Sequence, residues 1–320
     1  MSGTTTWTYD ADSGVYKSHH ISSKLMEQSA QKMIFVPFTD KVQDFGKGMG
    51  ETVTLMHYKD LADPTSAQLD DDDSRIPIDK LQMDKRQITV VPWGRGVEYT
   101  SMMQDLSKFD PANAAQKKLT RQMERAMDKA AATAFKQAKV IFIPTSLTGG
   151  SFETDGTPTA TALVNINADH LGIIRDYMAN TIHAPFYDGA NYVGIFSTKG
   201  LRGVKQDRRF ESWNMYLRKG DFIFRSEPGR CESIRLVECV NSASLTDGVG
   251  TGSVLGEGVV FGEEAVSRAE VVTPELRANP NFQGNFGLKK AVAWYGIVAY
   301  ATTWDSADDY EAKIVRVTSA

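Results

Sequence analysis

Four consecutive aspartates, Asp70, Asp71, Asp72 and Asp73, form the densest set of potential oxygen ligands in the chain. A calcium loop spaces its carboxylates at alternate positions around a glycine, and this run has neither feature. It reads as a solvated loop tip or as an acidic contact for a basic neighbour. A basic counterpart lies at residues 199–230, where nine basic and four acidic side chains leave an excess of +5. Arg208 and Arg209 belong to it. Such a cluster can meet phosphate, an acidic protein surface or simply water. Cys231 and Cys239 flank the run CESIRLVEC. Read as one strand, it holds them about 26 Å apart at ~3.3 Å per residue, too far to bridge, and two free thiols suit a reducing compartment.

The other reactive side chains form no constellation. His19, His20, His57, His170 and His183 are scattered, without the HxxxH or HxH spacing of a metal site. Gly248, Gly250 and Gly252 resemble part of a dinucleotide fingerprint, but its third glycine falls at Ser253 and no helix signal follows. GxSxG and GxxxxGK[ST] are absent. The pairs Glu263–Glu264 and Asp308–Asp309 are neighbouring acids of the kind common on surfaces. No cofactor, no metal and no catalytic residue is expected, and the chain reads as a structural protein rather than an enzyme.

The elements that would position these residues are organised around 110–138, DPANAAQKKLTRQMERAMDKAAATAFKQA. Asp110 can cap this helix and Pro111 suits its first position. Ala115, Leu119, Met123, Ala126, Met127, Ala130, Ala134 and Phe135 then recur at helical steps, over a length of roughly 40 Å. Its other face is charged, with Arg121–Glu124 and Arg125–Asp128 spaced to pair. Before it, residues 1–50 read as an extended arm with one helical piece at 21–33. Phe35, Val36, Phe38 and Phe45 in that arm call for another surface to cover them.

Strand signals at 51–58, 87–91 and 96–100 enclose a long acidic stretch, predicting a projecting hairpin. After the long helix come a strand at 140–144, a Gly/Ser/Thr-rich loop at 145–161, an amphipathic helix at 168–180 and a buried strand at 192–197. Partly helical 199–213 leads to strands at 234–240, 259–265, 289–303 and 312–317.

The 320 residues are 41% hydrophobic and 24% charged, which is ordinary globular material with room for one large domain or two. No apolar run approaches the roughly 18 residues of a membrane span, and no secretory signal opens the chain. A net charge of −4 argues against a dedicated nucleic-acid binder.

In their order, these parts resemble the major capsid protein of a tailed bacteriophage. GETVTLMHYKDLADPTSAQL looks like the first strand of the extended loop in a podovirus-type capsid family. GVEYTSMMQDLSKFDP is similar to its return strand and the approach to the spine helix. IFSTKGLRGVKQDRRFESW, IRLVECVNS and VVFGEEAVSRA look like successive pieces of the apical domain. The resemblance spans residues 20–320 and rests on several weak motifs in the right sequence and spacing.

What it implies is an α+β, Hong Kong 97-type capsid fold. The N-terminal arm would be 1–50, the extended loop 51–99, the peripheral domain 100–165 with 288–320, its spine helix 111–138, and the apical domain 166–287. The protein would assemble with itself, as pentamers and hexamers, into an icosahedral shell in the virion, formed in the host bacterial cytoplasm without a membrane. The shell would enclose double-stranded DNA without sequence-specific binding. A separate scaffolding protein and a portal are expected partners, and a decoration protein is compatible. Asp70, Asp71, Asp72, Asp73, Arg208 and Arg209 are then expected at subunit contacts. An encapsulin-like compartment shell is the alternative within the fold, and an α/β binding protein or enzyme the alternative outside it.

Overall fold

The computed structural model describes residues 33–320 apart from 44, 60, 62–63, 65–75, 77, 108–109, 158–161, 211–227, 241–244, 246–247, 250–253, 281–283, 285 and 305–310. The helical piece expected at 21–33, except Met33, the four aspartates and half of the basic 199–230 segment lie outside the described residues.

Met33 leads into a 3-10 turn, Val36–Phe38, and a two-residue strand β1 (Asp40–Lys41). After the glycine run 46–50, β2 (Thr52–Tyr58) and β3 (Met83–Thr89) pair antiparallel as a separate ribbon. β4 (Val91–Thr100) follows β3 across the single residue Val90. A short helix α1 (Ser101–Leu106), which the sequence did not announce, precedes the long α2 (Pro111–Lys136). As expected, the Asp110 side chain caps α2 by accepting from the Ala112 N–H, and Pro111 opens it.

β5 (Ile141–Ser146) and β6 (Gly149–Glu153) form a hairpin, so part of the expected loop at 145–161 is a strand. α3 (Ala168–Asn180) and β7 (Tyr192–Ser197) fall where their patterns placed them. α4 (Leu201–Lys205) falls within the partly helical 199–213, where 208–210 are helical as well. The rest is strand: β8 (Gly229–Cys231), β9 (Ile234–Cys239), β10 (Gly248–Val249), β11 (Val254–Phe261), β12 (Val266–Asn279), β13 (Lys289–Thr302) and β14 (Ile314–Thr318).

Two sheets carry the body. One has the order β6-β5-β14-β11-β7-β9-β8, with β10 beside β11; the other runs β1-β12-β13-β4. The first is covered on both faces, which is why β7 reads as an unbroken apolar run rather than an alternation. Tyr192 and Phe196 point into a core shared with Leu171, Ile174 and Met178 of α3 and with Leu201 and Val204 of α4. Val193 and Ile195 point the other way, onto Phe35, Phe38 and the end of α2. In the second sheet, Val292 and Trp294 of β13 bury Leu119 and Met127 of α2. Ala131, Ala132 and Ala134 keep the helix end slim enough for the Thr302 hydroxyl to donate to the Ala134 carbonyl at 2.7 Å.

Several expectations are corrected. Phe35, Phe38 and Phe45 are buried by this chain's own body, so the arm from 33 onward needs no second surface for them. Asp128 does not face solvent beside Arg125. It is 2% exposed, and its Oδ1 accepts from the backbone N–H groups of Ile34 (2.9 Å), Phe35 (2.7 Å) and Val36 (3.4 Å). Cys231 and Cys239 lie on two antiparallel strands, β8 and β9, rather than along one, and both are buried outside any disulfide. The strand pairings link distant parts of the chain. β12 pairs along its length with β13, while β5 and β14 lie in one sheet with β7, β9 and β11.

The β8–β9 turn carries backbone strain. Cys231 pairs with Ile234, so Glu232 and Ser233 form a two-residue loop, with φ values of 47° and 60°. Such a loop favours Asn-Gly, because β-substituted residues resist positive φ. The double substitution Glu232→Asn with Ser233→Gly is expected to raise stability by about 1 kcal/mol. Urea unfolding checks this, and an unchanged or lower midpoint would contradict it.

Candidate assembly surface

The groups with chemistry are spent on holding the fold. His170 is fully buried at the start of α3, in a reciprocal cap with Asn167. The Asn167 N–H donates to its Nδ1 at 3.2 Å, and its Nε2–H donates to the Ser146 carbonyl at 2.7 Å, so both ring nitrogens are committed. Burial, with Glu232 nearby, pushes the Cys231 thiol up to about 12, far from a reactive thiolate. Among the described residues, no group of three or more His, Cys, Asp or Glu is placed to hold a metal ion, and no helix is long and apolar enough to cross a membrane. A shallow depression of about 420 Å³ is lined by Leu147, Leu163, Asn165 and Gln206 among others, and brings no acid, base or nucleophile together.

Of the residues singled out in the sequence, Arg208 and Arg209 are exposed. Arg209 is nevertheless held within the chain: its two terminal nitrogens donate to the Asp169 carboxylate at 2.6 and 2.8 Å, and Asp207 lies 3.3 Å away. The Arg209 hydrogen bonds keep the Asp169 carboxyl below its usual range. Burial would lift Asp207, but the Arg209 N–H and guanidinium outweigh it and hold that carboxyl low as well. The same two acids raise the Arg209 guanidinium further. Arg209 therefore pins the turn after α4 onto the first turn of α3. Sequence spacing gave no sign of this, because Asp169 and Arg209 are 40 residues apart.

What remains unspent is apolar surface. On the β2–β3 ribbon, Val53, Leu55 and Ile88 pack on Phe45 and Ala269, forming the covered face. The alternate positions point outward: Met56 is 61% exposed, Tyr58 65% and Met83 54%, and Leu81 and Ile78, just before β3, are exposed as well. Tyr58 and Met83 are directly paired, so the outer face ends in an apolar cross-strand couple. A second group lies where α1 meets β13. Met102, Met103 and Leu106 are open on α1, and the Ser101 N–H bonds the carbonyl of Leu288, itself exposed beside the fully exposed Phe286. Clustered side chains of this size left open are the mark of a docking surface.

Neither a family model nor a curated protein matches the sequence. Solved structures match it end to end. A chain of the cyanophage Pam1 capsid aligns with a TM-score of 0.68 at 15% identity, covering 100% of both chains. The capsid of Ralstonia phage GP4 gives 0.69 at 14% identity over 98% of each chain. The head structure of Helicobacter pylori bacteriophage KHP40 gives 0.69 at 10% identity, over 99% of this chain and 100% of that one. This chain has a phage-capsid fold. The α+β, Hong Kong 97-type architecture expected from the sequence is thereby borne out.

Proposed function

We propose that this protein is the major capsid subunit of a tailed bacteriophage, assembling with itself as pentamers and hexamers into an icosahedral shell. The observation that carries the reading is the end-to-end match to phage capsid chains. The uncovered apolar faces of the ribbon and of α1 support it, because a shell supplies neighbours to cover them. The chain would act structurally rather than catalytically and would sit in the virion, after assembly in the host cytoplasm. A net charge of −4 suits a wall that encloses double-stranded DNA without gripping it. A separate scaffolding protein, a portal and optionally a decoration protein complete the set of partners.

Within this reading Asp70, Asp71, Asp72 and Asp73 serve at a subunit contact, as does Arg208, whose neighbour Arg209 fixes the turn beneath it. Charge reversal of the four aspartates should lower particle yield, and an unchanged yield removes that assignment. The reading itself is tested by sedimentation velocity with negative-stain microscopy of the fastest fraction, with scaffolding protein supplied. Closed shells or free pentamers and hexamers are expected. A persistent ~35 kDa monomer at high concentration would overturn it.

A further inference from the structure

Among the described residues, the β2–β3 ribbon meets the body in two separate places. Near its root, Val53, Leu55 and Ile88 share an apolar cluster with Phe45 and Ala269. Toward its far end His57 makes the second contact. His57 Nε2 lies 2.7 Å from Glu311 Oε1, and its ring sits 3.9 Å, centroid to centroid, from the ring of Trp304. Glu311 and Trp304 flank residues 305–310, between β13 and β14, and Glu311 is 254 residues from His57. The other charged groups on this face of the ribbon are Asp84, directly opposite His57, Lys59 at 3.1 Å from Asp84, and Arg86.

We propose that His57, Glu311 and Trp304 form a latch that holds the ribbon against the body and opens as a unit when the ribbon lifts. Two features make this a switchable contact rather than an ordinary anchor. First, it is only half satisfied. The Glu311 side chain is 10% exposed, while His57 Nδ1 is buried without a hydrogen-bond partner. A buried polar atom left unpaired offsets much of what the bond at Nε2 contributes, and opening rehydrates both groups. The contact is thus worth less than a fully paired one and is the more easily broken. Second, the ribbon has a joint. Gly48 and Gly50 immediately before β2 have φ of 85° and 89°, and a Cβ at either would meet nothing within 4 Å. Glycine there serves backbone freedom, not close packing. On the other strand, Val90 alone separates β3 from β4, its N–H bonded to the Glu51 carbonyl at 2.9 Å.

The latch is a property of one chain and stands whether or not chains assemble. It is tested by amide hydrogen exchange on the full chain, with all variants compared in one assembly state set by sedimentation. His57→Phe keeps a ring beside Trp304 but loses Nε2, and Glu311→Ala removes the acceptor. Both should speed exchange in residues 52–58 and 83–89 by about tenfold or more, with residues 192–197 and 234–239 unchanged. The double variant His57→Phe with Glu311→Met removes the buried carboxylate together with its partner, and its ribbon should stay fast. Ribbon exchange at the wild-type rate in both single variants would overturn the latch. So would equal acceleration in the buried strands, or a double variant that returns to wild-type exchange.

Discussion

Replacing Asp128 by alanine is expected to cost about 2–4 kcal/mol of folding stability and to detach residues 34–36 from α2. Its Oδ1 is the acceptor for three successive backbone N–H groups, at 2.9, 2.7 and 3.4 Å. Alanine would leave those donors buried beside Phe35, which is itself fully buried against Phe135. Part of the loss is returned, because a 2% exposed carboxylate whose Oδ2 has no partner is also removed. Asp128→Asn keeps the accepting oxygen and should cost about 1 kcal/mol or less. The two variants also separate charge from hydrogen bonding. Burial is the largest influence on this carboxyl and raises it above 3.8, against the lowering pull of the three N–H groups. The folded chain therefore binds the proton more tightly than the unfolded chain. The stability this contributes is full below the unfolded value, lost as pH rises through the folded one, and constant beyond it. Urea unfolding of wild type and Asp128→Asn across acidic pH reads this directly. Wild type should lose ground to the asparagine variant as pH rises from about 4, and the opposite slope would show that the N–H groups dominate.

Asp128 also shows where sequence reasoning stops. The helix that carries it was legible to within two residues at its C-terminal end, because a cap, a proline and a sustained period all agree. The same helical pattern set Asp128 opposite Arg125, since local spacing cannot see a chain segment that returns from 92–94 residues away. Phe35 and Phe38 looked unpartnered for the same reason: Phe135, Tyr187 and Phe261, which cover them, lie far along the chain. β7 and α3 were legible because each has one environment along its whole length.

β12 was not. Register shifts between Glu270 and Val272, and again between Val272 and Glu275, break the alternation, and its second half is exposed. β6 was hidden by composition. Its Gly150 is required because a Cβ there would lie 2.4 Å from the Phe142 ring, yet in sequence GGSFE reads as a loop. As for the assembly surface, the ribbon was visible as two β-rich stretches around an acidic one, but which of its faces is open follows from packing on Phe45 and Ala269. The latch at His57 left no trace in sequence.

Gly258→Val should be among the most damaging single substitutions in the protein, at about 3 kcal/mol or more. Gly258 pairs directly with Phe196 across β11 and β7, and the Phe196 ring spreads over Gly258 and over Gly194 of its own strand. A Cβ at 258 would stand 2.3 Å from the ring and 3.0 Å from the Ile195 carbonyl; one at 194 would stand 2.6 Å from the same ring. The ring is 1% exposed and belongs to the core shared with α3 and α4, so it has no free volume to turn into. The clash must be relieved by the backbone, at the junction where β14 and β11 meet β7 and β9.

A smaller insult isolates the cause. Gly258→Ala should destabilise clearly by itself and do so less in a Phe196→Leu background. The double-mutant cycle should give a coupling of about 1 kcal/mol or more in the rescuing direction. Additive effects in urea unfolding would mean that the ring is not what excludes the side chain. Coupling would identify two glycines in β-rich runs, YVGIFS and VLGEGVVF, as the seat of one phenylalanine. It would make the β7–β11 seam the point at which the larger sheet is held in register.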